Sequence, residues 1–144
     1  MTPVIHLPNN ADSDVRILLD TSLVISGGIG RLSGQLAVSV VSIAELHFGV
    51  LVARTEASRA ERLRRLTDVQ RRFDPLPVDD AVAASFGELA AAVVHAGRQP
   101  RARSTDLLIA ATAHAHDATL LTYNVDDFRG LEHLVEVVGV PAEN

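Results

Sequence analysis

Three aliphatic residues, Ile17-Leu18-Leu19, run directly into a carboxylate and two hydroxyls, Asp20-Thr21-Ser22. A short continuous apolar run suits a strand covered on both faces, as in a parallel sheet. An abrupt polar end suits the carboxyl edge of such a sheet, where ligands bind. The pattern returns at Thr119-Leu120-Leu121-Thr122, which gives way to Tyr123, Asn124, Asp126 and Asp127. Leu36 to Val41 reads as a second strand and Leu134 to Val138 as the last. Helical stretches separate these runs, so the chain is expected to be an α/β domain with a central, mainly parallel sheet flanked by helices.

The helices have their own punctuation. Thr21 to Ile25 is short and is broken by Gly27, Gly28 and Gly30. Those glycines follow a helix and lack a Gly-Lys-Ser/Thr, so they form a turn rather than a phosphate-binding loop. Ser42 opens a helix carrying Leu46, Val50 and Leu51, and a charged helix spans Thr55 to Phe73. Pro75 and Pro77 force extended geometry on the residues before them. A helix from Asp79 and Asp80 to about Ala96 ends at Gly97. Ser104 or Thr105 then caps an apolar helix through Ala113. The expected organisation is an arm over residues 1–15, one domain over 16–140 and a tail over 141–144.

Composition narrows the function. At 144 residues and 47% hydrophobic but only 3% aromatic, the core must be aliphatic. Without cysteine there are no disulfides or thiolate metal sites. No apolar run reaches the length of a membrane span and no signal peptide is visible, so a cytoplasmic protein is expected. The net charge is −5, yet every basic residue is Arg. Arg59, Arg62, Arg64, Arg65, Arg71 and Arg72 crowd one segment, and Arg98, Arg101 and Arg103 another. Guanidinium suits phosphate and carboxylate alike; solvated helix faces in an Arg-biased composition explain such runs equally well.

Four acids stand out, and each also has a local explanation. Asp20 is a favoured helix N-cap residue. Ser42 and Glu45 have the spacing of a capping box. Asp106 in a first turn complements the helix dipole, and Asp127 follows a strand. Their places in the topology coincide, however, since parallel connections bring strand ends and helix starts to one rim. Carboxylates gathered there repel one another and raise some pKa values. A divalent cation relieves that repulsion, and oxygen-only ligands select Mg²⁺ or Mn²⁺.

Leu-Leu-Asp-Thr-Ser at 18–22, Ser-Ile-Ala-Glu-Leu at 42–46, Asp-Leu-Leu-Ile-Ala-Ala at 106–111 and Leu-Leu-Thr-Tyr-Asn-Val-Asp-Asp-Phe at 120–128 stand in this order. The series resembles PIN-domain ribonucleases, more narrowly the VapC toxins of bacterial and archaeal toxin–antitoxin pairs, from Ile17 to Val138. The resemblance implies metal ligation and catalysis by Asp20, Glu45 and Asp106, joined by Asp127. Some PIN domains carry Asp where this chain has Asn124, and Asp126 is a further neighbour. Thr21 and Thr122 match supporting hydroxyl positions. The arm before Ile17 departs from the family pattern. What the resemblance implies is Mg²⁺-dependent endonucleolytic cleavage of an RNA such as a tRNA or rRNA, a VapB-like antitoxin as partner, and a homodimer.

With few aromatics, RNA binding rests on Arg98, Arg101 and Arg103 rather than on stacking platforms, unless these arginines meet the antitoxin or solvent. A catalytically silent PIN fold that only binds a partner is the non-enzymatic alternative. An Asp20-nucleophile phosphatase is the other enzyme class: a haloacid-dehalogenase-like site wants a second Asp where Ser22 stands, and a receiver domain wants a Lys. His114 and His116 are two apart and do not share a helix face; with His47 and His95 they read as structural or exposed.

Overall fold

The structure, a computed structural model, describes residues 15–26, 32 and 34–141. The arm expected over 1–15 lies almost wholly outside the described residues, as do the glycine cluster at 27–30 and most of the tail. Along the chain come β1 (Arg16–Leu19), α1 (Thr21–Ser26), β2 (Gln35–Val38), α2 (Val40–Leu51), α3 (Glu56–Arg72), α4 (Asp80–His95), α5 (Ser104–Ala115), β3 (Thr119–Thr122) and β4 (Val137–Gly139). Short 3₁₀ turns at Pro100–Arg103 and Val125–Phe128 precede α5 and follow β3.

The four strands form one parallel sheet in the order β2-β1-β3-β4. Leu19 is level with both Val38 and Leu121, and Leu121 with Val138, so the carboxyl ends of the strands share one rim. Alternate residues of β1 face opposite layers, as the two-residue period of a strand requires. Ile17 and Leu19 pack with Leu23, Ile43, Leu46, Leu66 and Val69 on the side of α1, α2 and α3. Leu18 and Leu120 pack with Leu89, Val93, Leu107, Ile109 and Phe128 on the side of α4 and α5. Leu18, Leu19, Leu120 and Leu121 are fully buried, each adding about 1.5–3 kcal/mol by burial. The two-sided cover explains why the strands read as continuous apolar runs.

Three boundaries differ from the sequence reading, for local reasons. The second strand stops at Val38, because Ser39 already caps α2: its backbone is extended and its Oγ accepts the Val41 N–H at 3.0 Å. Ser42 and Glu45 therefore lie inside the helix and form no capping box. The α5 helix starts at Ser104 out of a 3₁₀ turn, with Arg103 at the cap position and no side-chain cap bond. The last strand begins at Val137, since Leu134 and Val135 fold into a turn on the Leu131 carbonyl.

Two features expected from sequence shape the rim. Leu76, held between Pro75 and Pro77, donates to the Val38 carbonyl and accepts from Val40, both at 2.9 Å. Its flanking prolines have no N–H, so the pairing cannot extend as a strand. At the end of α4, Gly97 takes φ +79°; its N–H reaches the Val94 carbonyl and the Arg98 N–H the Val93 carbonyl. This is a Schellman closure, for which glycine is the favoured residue.

Candidate active site

The centre of the rim is Asp20, between the two inner strands. Its N–H donates to the Leu121 carbonyl at 2.9 Å, which carries the β1–β3 ladder one residue further. Its own carbonyl accepts from Leu23 and Val24, so the backbone does cap α1. The side chain does something else. Its Oδ2 accepts the Thr122 hydroxyl at 2.7 Å and the Ser22 hydroxyl at 3.1 Å. Thr122 is itself fixed, because its Oγ1 accepts the Asn124 N–H at 2.9 Å. Asp20 is only 5% exposed, yet both hydroxyl bonds fall on one oxygen, and Oδ1 receives none from a described residue.

Glu45 comes from the second turn of α2. Thr21 donates to its Oε1 at 2.7 Å, and Thr21 also lies 2.7 Å from the buried Ser42 hydroxyl. Thr21 has a single hydroxyl hydrogen, so Ser42 donates to Thr21 and Thr21 to Glu45. A relay from the helix interior thus orients a carboxylate that is itself exposed.

Asp106 lies in the first turn of α5 and is half-buried. Burial, then the neighbouring charges of Asp127, Asp20 and Glu45, push its pKa up to about 6, while Arg103 opposes them. Burial is the larger part of this shift, and the rest is the mutual repulsion that converging acids entail. Asp127 sits in the 3₁₀ turn after β3, where Arg103 Nη1 pairs with its Oδ1 at 2.5 Å. That turn rests on the end of β4: a Cβ added at Gly139 would come within 2.6 Å of Val125 Cγ2. Asp126 pairs instead with Arg129 at 3.0 Å, and Asn124 touches the network through its backbone N–H.

The four predicted acids therefore share one space. Among the described residues, no three acidic or His side chains close tightly enough on a point to grip an ion as they stand. Hydroxyls hold Asp20 and Glu45, Arg103 holds Asp127, and at Asp106 burial and the neighbouring acids outweigh Arg103. The donor set is all oxygen, which fits Mg²⁺ or Mn²⁺ in chemistry.

Of the predicted arginines, Arg98 and Arg103 line a cavity beside Asp127, and Arg101 lines a neighbouring, more open one. Several arginines of α3 are engaged elsewhere: Arg64 and Arg65 meet Glu61, and Arg62 donates to the Gly49 carbonyl at 2.6 Å. His114 bonds the Ser85 hydroxyl at 2.7 Å, a link between α5 and α4. Sequence reasoning named Ser22 and Ser42 without giving either a part in holding the acids, and it did not single out Arg129. The first two carry a signal in hindsight, a hydroxyl two residues after Asp20 and another three before Glu45. Arg129 lies far along the chain from the arginine clusters and had none.

The model of the PIN domain family matches residues 17–134. Ribonuclease VapC5 of Mycobacterium tuberculosis (strain ATCC 25618 / H37Rv) is 37% identical over 126 residues, 83% of this chain and 90% of that protein. Ribonuclease VapC8 of the same strain is 41% identical over 100 residues, 67% of this chain and 88% of that protein. Among solved structures, that of VapBC-5 from Mycobacterium tuberculosis, a member of the VapBC family of toxin–antitoxin systems, superposes with a TM-score of 0.75 at 37% identity. It covers 85% of this chain and 97% of the matched chain.

Proposed function

The chain belongs to the PIN-domain family and to its VapC branch, and from that premise we propose that it is the toxin of a toxin–antitoxin pair, a Mg²⁺-dependent endoribonuclease. The observation that carries this reading is the convergence of Asp20, Glu45, Asp106 and Asp127 at one rim of the sheet, where burial first, and then the charges of Asp127, Asp20 and Glu45, raise the pKa of the half-buried Asp106 to about 6. Acids gathered at such a cost in repulsion suit a site completed by a cation.

Asp20 and Asp106 would be the principal ligands, with Glu45 and Asp127 completing the set. A bound Mg²⁺ or Mn²⁺ would supply Lewis-acid stabilisation of the phosphodiester's developing charge and lower the pKa of a coordinated water. The protein's part is positional. Thr122 and Ser22 hold one oxygen of Asp20 and leave the other for a ligand. The Ser42–Thr21 relay does the same for Glu45. Asp127, rather than Asp126 or Asn124, is assigned to the fourth position because it is the one that acts on Asp106. No protein nucleophile is required, in keeping with a chain that has no cysteine.

A VapB-like antitoxin is the proposed partner, as in the VapBC-5 complex. The end of α2 supports a partner surface, with Phe48, Leu51 and Val52 exposed at i, i+3 and i+4 on one face. A homodimer and a cytoplasmic location belong to the same reading; no described helix is long and apolar enough to cross a membrane.

The experiment is RNA cleavage by the purified chain in Mg²⁺, in EDTA, and in EDTA followed by excess Mg²⁺. Cleavage lost in EDTA and restored by Mg²⁺ is expected. A folded chain inert in Mg²⁺ or Mn²⁺ would leave the partner-binding reading in its place.

A further inference from the structure

Beside the acids lies a cavity that the ribonuclease reading leaves without a role. It has a volume of about 300 Å³. Its floor is apolar, formed by the buried side chains of Val93, Leu107 and Leu131. Its rim is cationic, with Arg98, Arg103 and Arg129, and Gln99 also faces it. Asp127 belongs to the same lining, so whatever fills the cavity abuts the acid cluster.

The rim is built rather than incidental. The Schellman closure at Gly97 fixes the direction in which the chain leaves α4. Arg98 then donates to the Arg129 carbonyl at 3.0 Å, tying the end of α4 to the segment after the 3₁₀ turn. The three guanidinium groups are not equivalent. Arg103 is paired with Asp127 and Arg129 with Asp126. Arg98 meets a neutral carbonyl, and no carboxylate neutralises it among the described residues. Gln99 has an exposed side chain that makes no hydrogen bond to a described residue.

We propose that this cavity takes one unstacked nucleotide of the RNA, the one next to the cleaved phosphodiester, and that Gln99 reads its base. The proposal rests on the ribonuclease reading above. A cavity of this size is at the lower end of small-ligand sites and holds a single nucleotide. An apolar floor beneath planar guanidinium groups matches the faces of a base, which stack on Arg as they do on aromatic rings. Such stacking by Arg suits a chain with only 3% aromatic residues. The uncompensated charge of Arg98 suits the nucleotide's own phosphate. Gln99 supplies both a donor and an acceptor, the pair needed to discriminate among base edges.

Two measurements test this. In the first, AMP, GMP, CMP and UMP are titrated separately into the full-length chain in EDTA, and amide chemical shifts are followed. Saturable shifts centred on Gly97, Gln99 and Leu131 are expected, with one base favoured and with the shifts abolished in Gln99→Trp, which fills the opening. Shifts that are absent, centred elsewhere or unchanged by Gln99→Trp would overturn the proposal. In the second, a random single-stranded RNA pool is cleaved in Mg²⁺ and the cut sites are sequenced. The wild type is expected to favour one base at a position flanking the cut, and Gln99→Ala to flatten that preference about tenfold while preferences elsewhere stay. A cut profile unchanged by Gln99→Ala would count against the assignment. Failure of the wild type to cleave at all would instead defeat the ribonuclease reading, and the mononucleotide titration would still decide whether the cavity binds a nucleotide.

Discussion

Thr122 donates its hydroxyl to Asp20 Oδ2 at 2.7 Å, joining the ends of the two central strands across 102 positions of sequence. Both side chains are buried, so the bond is made where water cannot replace it. Thr122→Val keeps the shape and removes the donor. The loss leaves a buried carboxylate oxygen and the Asn124 N–H short of a partner, at a cost of about 1–3 kcal/mol. Mg²⁺ affinity, measured by titration calorimetry, is expected to fall about 10–100-fold, the usual effect of removing a group that orients a metal ligand. Unchanged affinity would show that Asp20 is held well enough by Ser22 alone.

Asp106 gives a pH prediction whose sign is fixed by its raised pKa. The native carboxyl stays protonated up to about pH 6, whereas in the unfolded chain it ionises near 3.8. Between those values the native state binds more protons, so metal-free stability falls as pH rises through the window. Asp106→Asn removes this penalty. By urea unfolding in EDTA the variant is expected to gain about 1–2 kcal/mol at pH 7, after discounting for partial solvent screening, and to match the wild type near pH 4. Added Mg²⁺ should stabilise the wild type and not the variant.

These two residues also mark how far the sequence could be read. The parallel α/β fold was legible because both faces of the sheet are covered, which turns Ile17–Leu19 and Thr119–Thr122 into apolar runs that end in polar residues. That four acids face one rim was legible because topology carries strand ends and helix starts there, and the motifs shared with PIN-domain ribonucleases pointed to the same four. The hydroxyl network was only partly so. Ser42 and Glu45 have a capping-box spacing, and nothing local reveals that Ser39 has already capped α2 and frees them to face Thr21. The pairing of Arg103 with Asp127 spans 24 positions and depends on how two 3₁₀ turns meet, which no local pattern encodes.

That pairing sets up a competition. Arg103 neutralises the carboxylate proposed to complete the metal site, while its guanidinium also borders the proposed path of the RNA. Arg103→Ala is expected to tighten Mg²⁺ binding several-fold and to weaken RNA binding. The slope of log binding constant against log salt should become shallower by about 0.7, one phosphate contact on a single strand. Charge reversal at Arg101 together with Arg103 should flatten it further. An unchanged slope in both variants would remove these arginines from the RNA surface.

Gly139 tests whether the turn carrying Asp127 is positioned by the strand beneath it. An alanine Cβ would stand 2.6 Å from Val125 Cγ2, so Val125 must move. Gly139→Ala is expected to cost about 1–3 kcal/mol, the usual range for overpacking, and to reduce Mg²⁺-dependent cleavage more than it reduces the metal-free fold's cooperativity of unfolding. Activity at the wild-type level would mean that Val125, which is 42% exposed, swings aside without disturbing Asp127.

The most direct test of the acid cluster as the catalytic centre is the single-turnover rate of RNA cleavage by Asp20→Asn at saturating Mg²⁺, with folding checked by circular dichroism. The asparagine keeps an oxygen for Thr122 and Ser22 but loses the charge. A folded variant with its rate reduced about 10³-fold or more is expected, a loss of about 4 kcal/mol in transition-state stabilisation. A folded Asp20→Asn protein that cleaves within a few-fold of the wild-type rate would contradict the assignment.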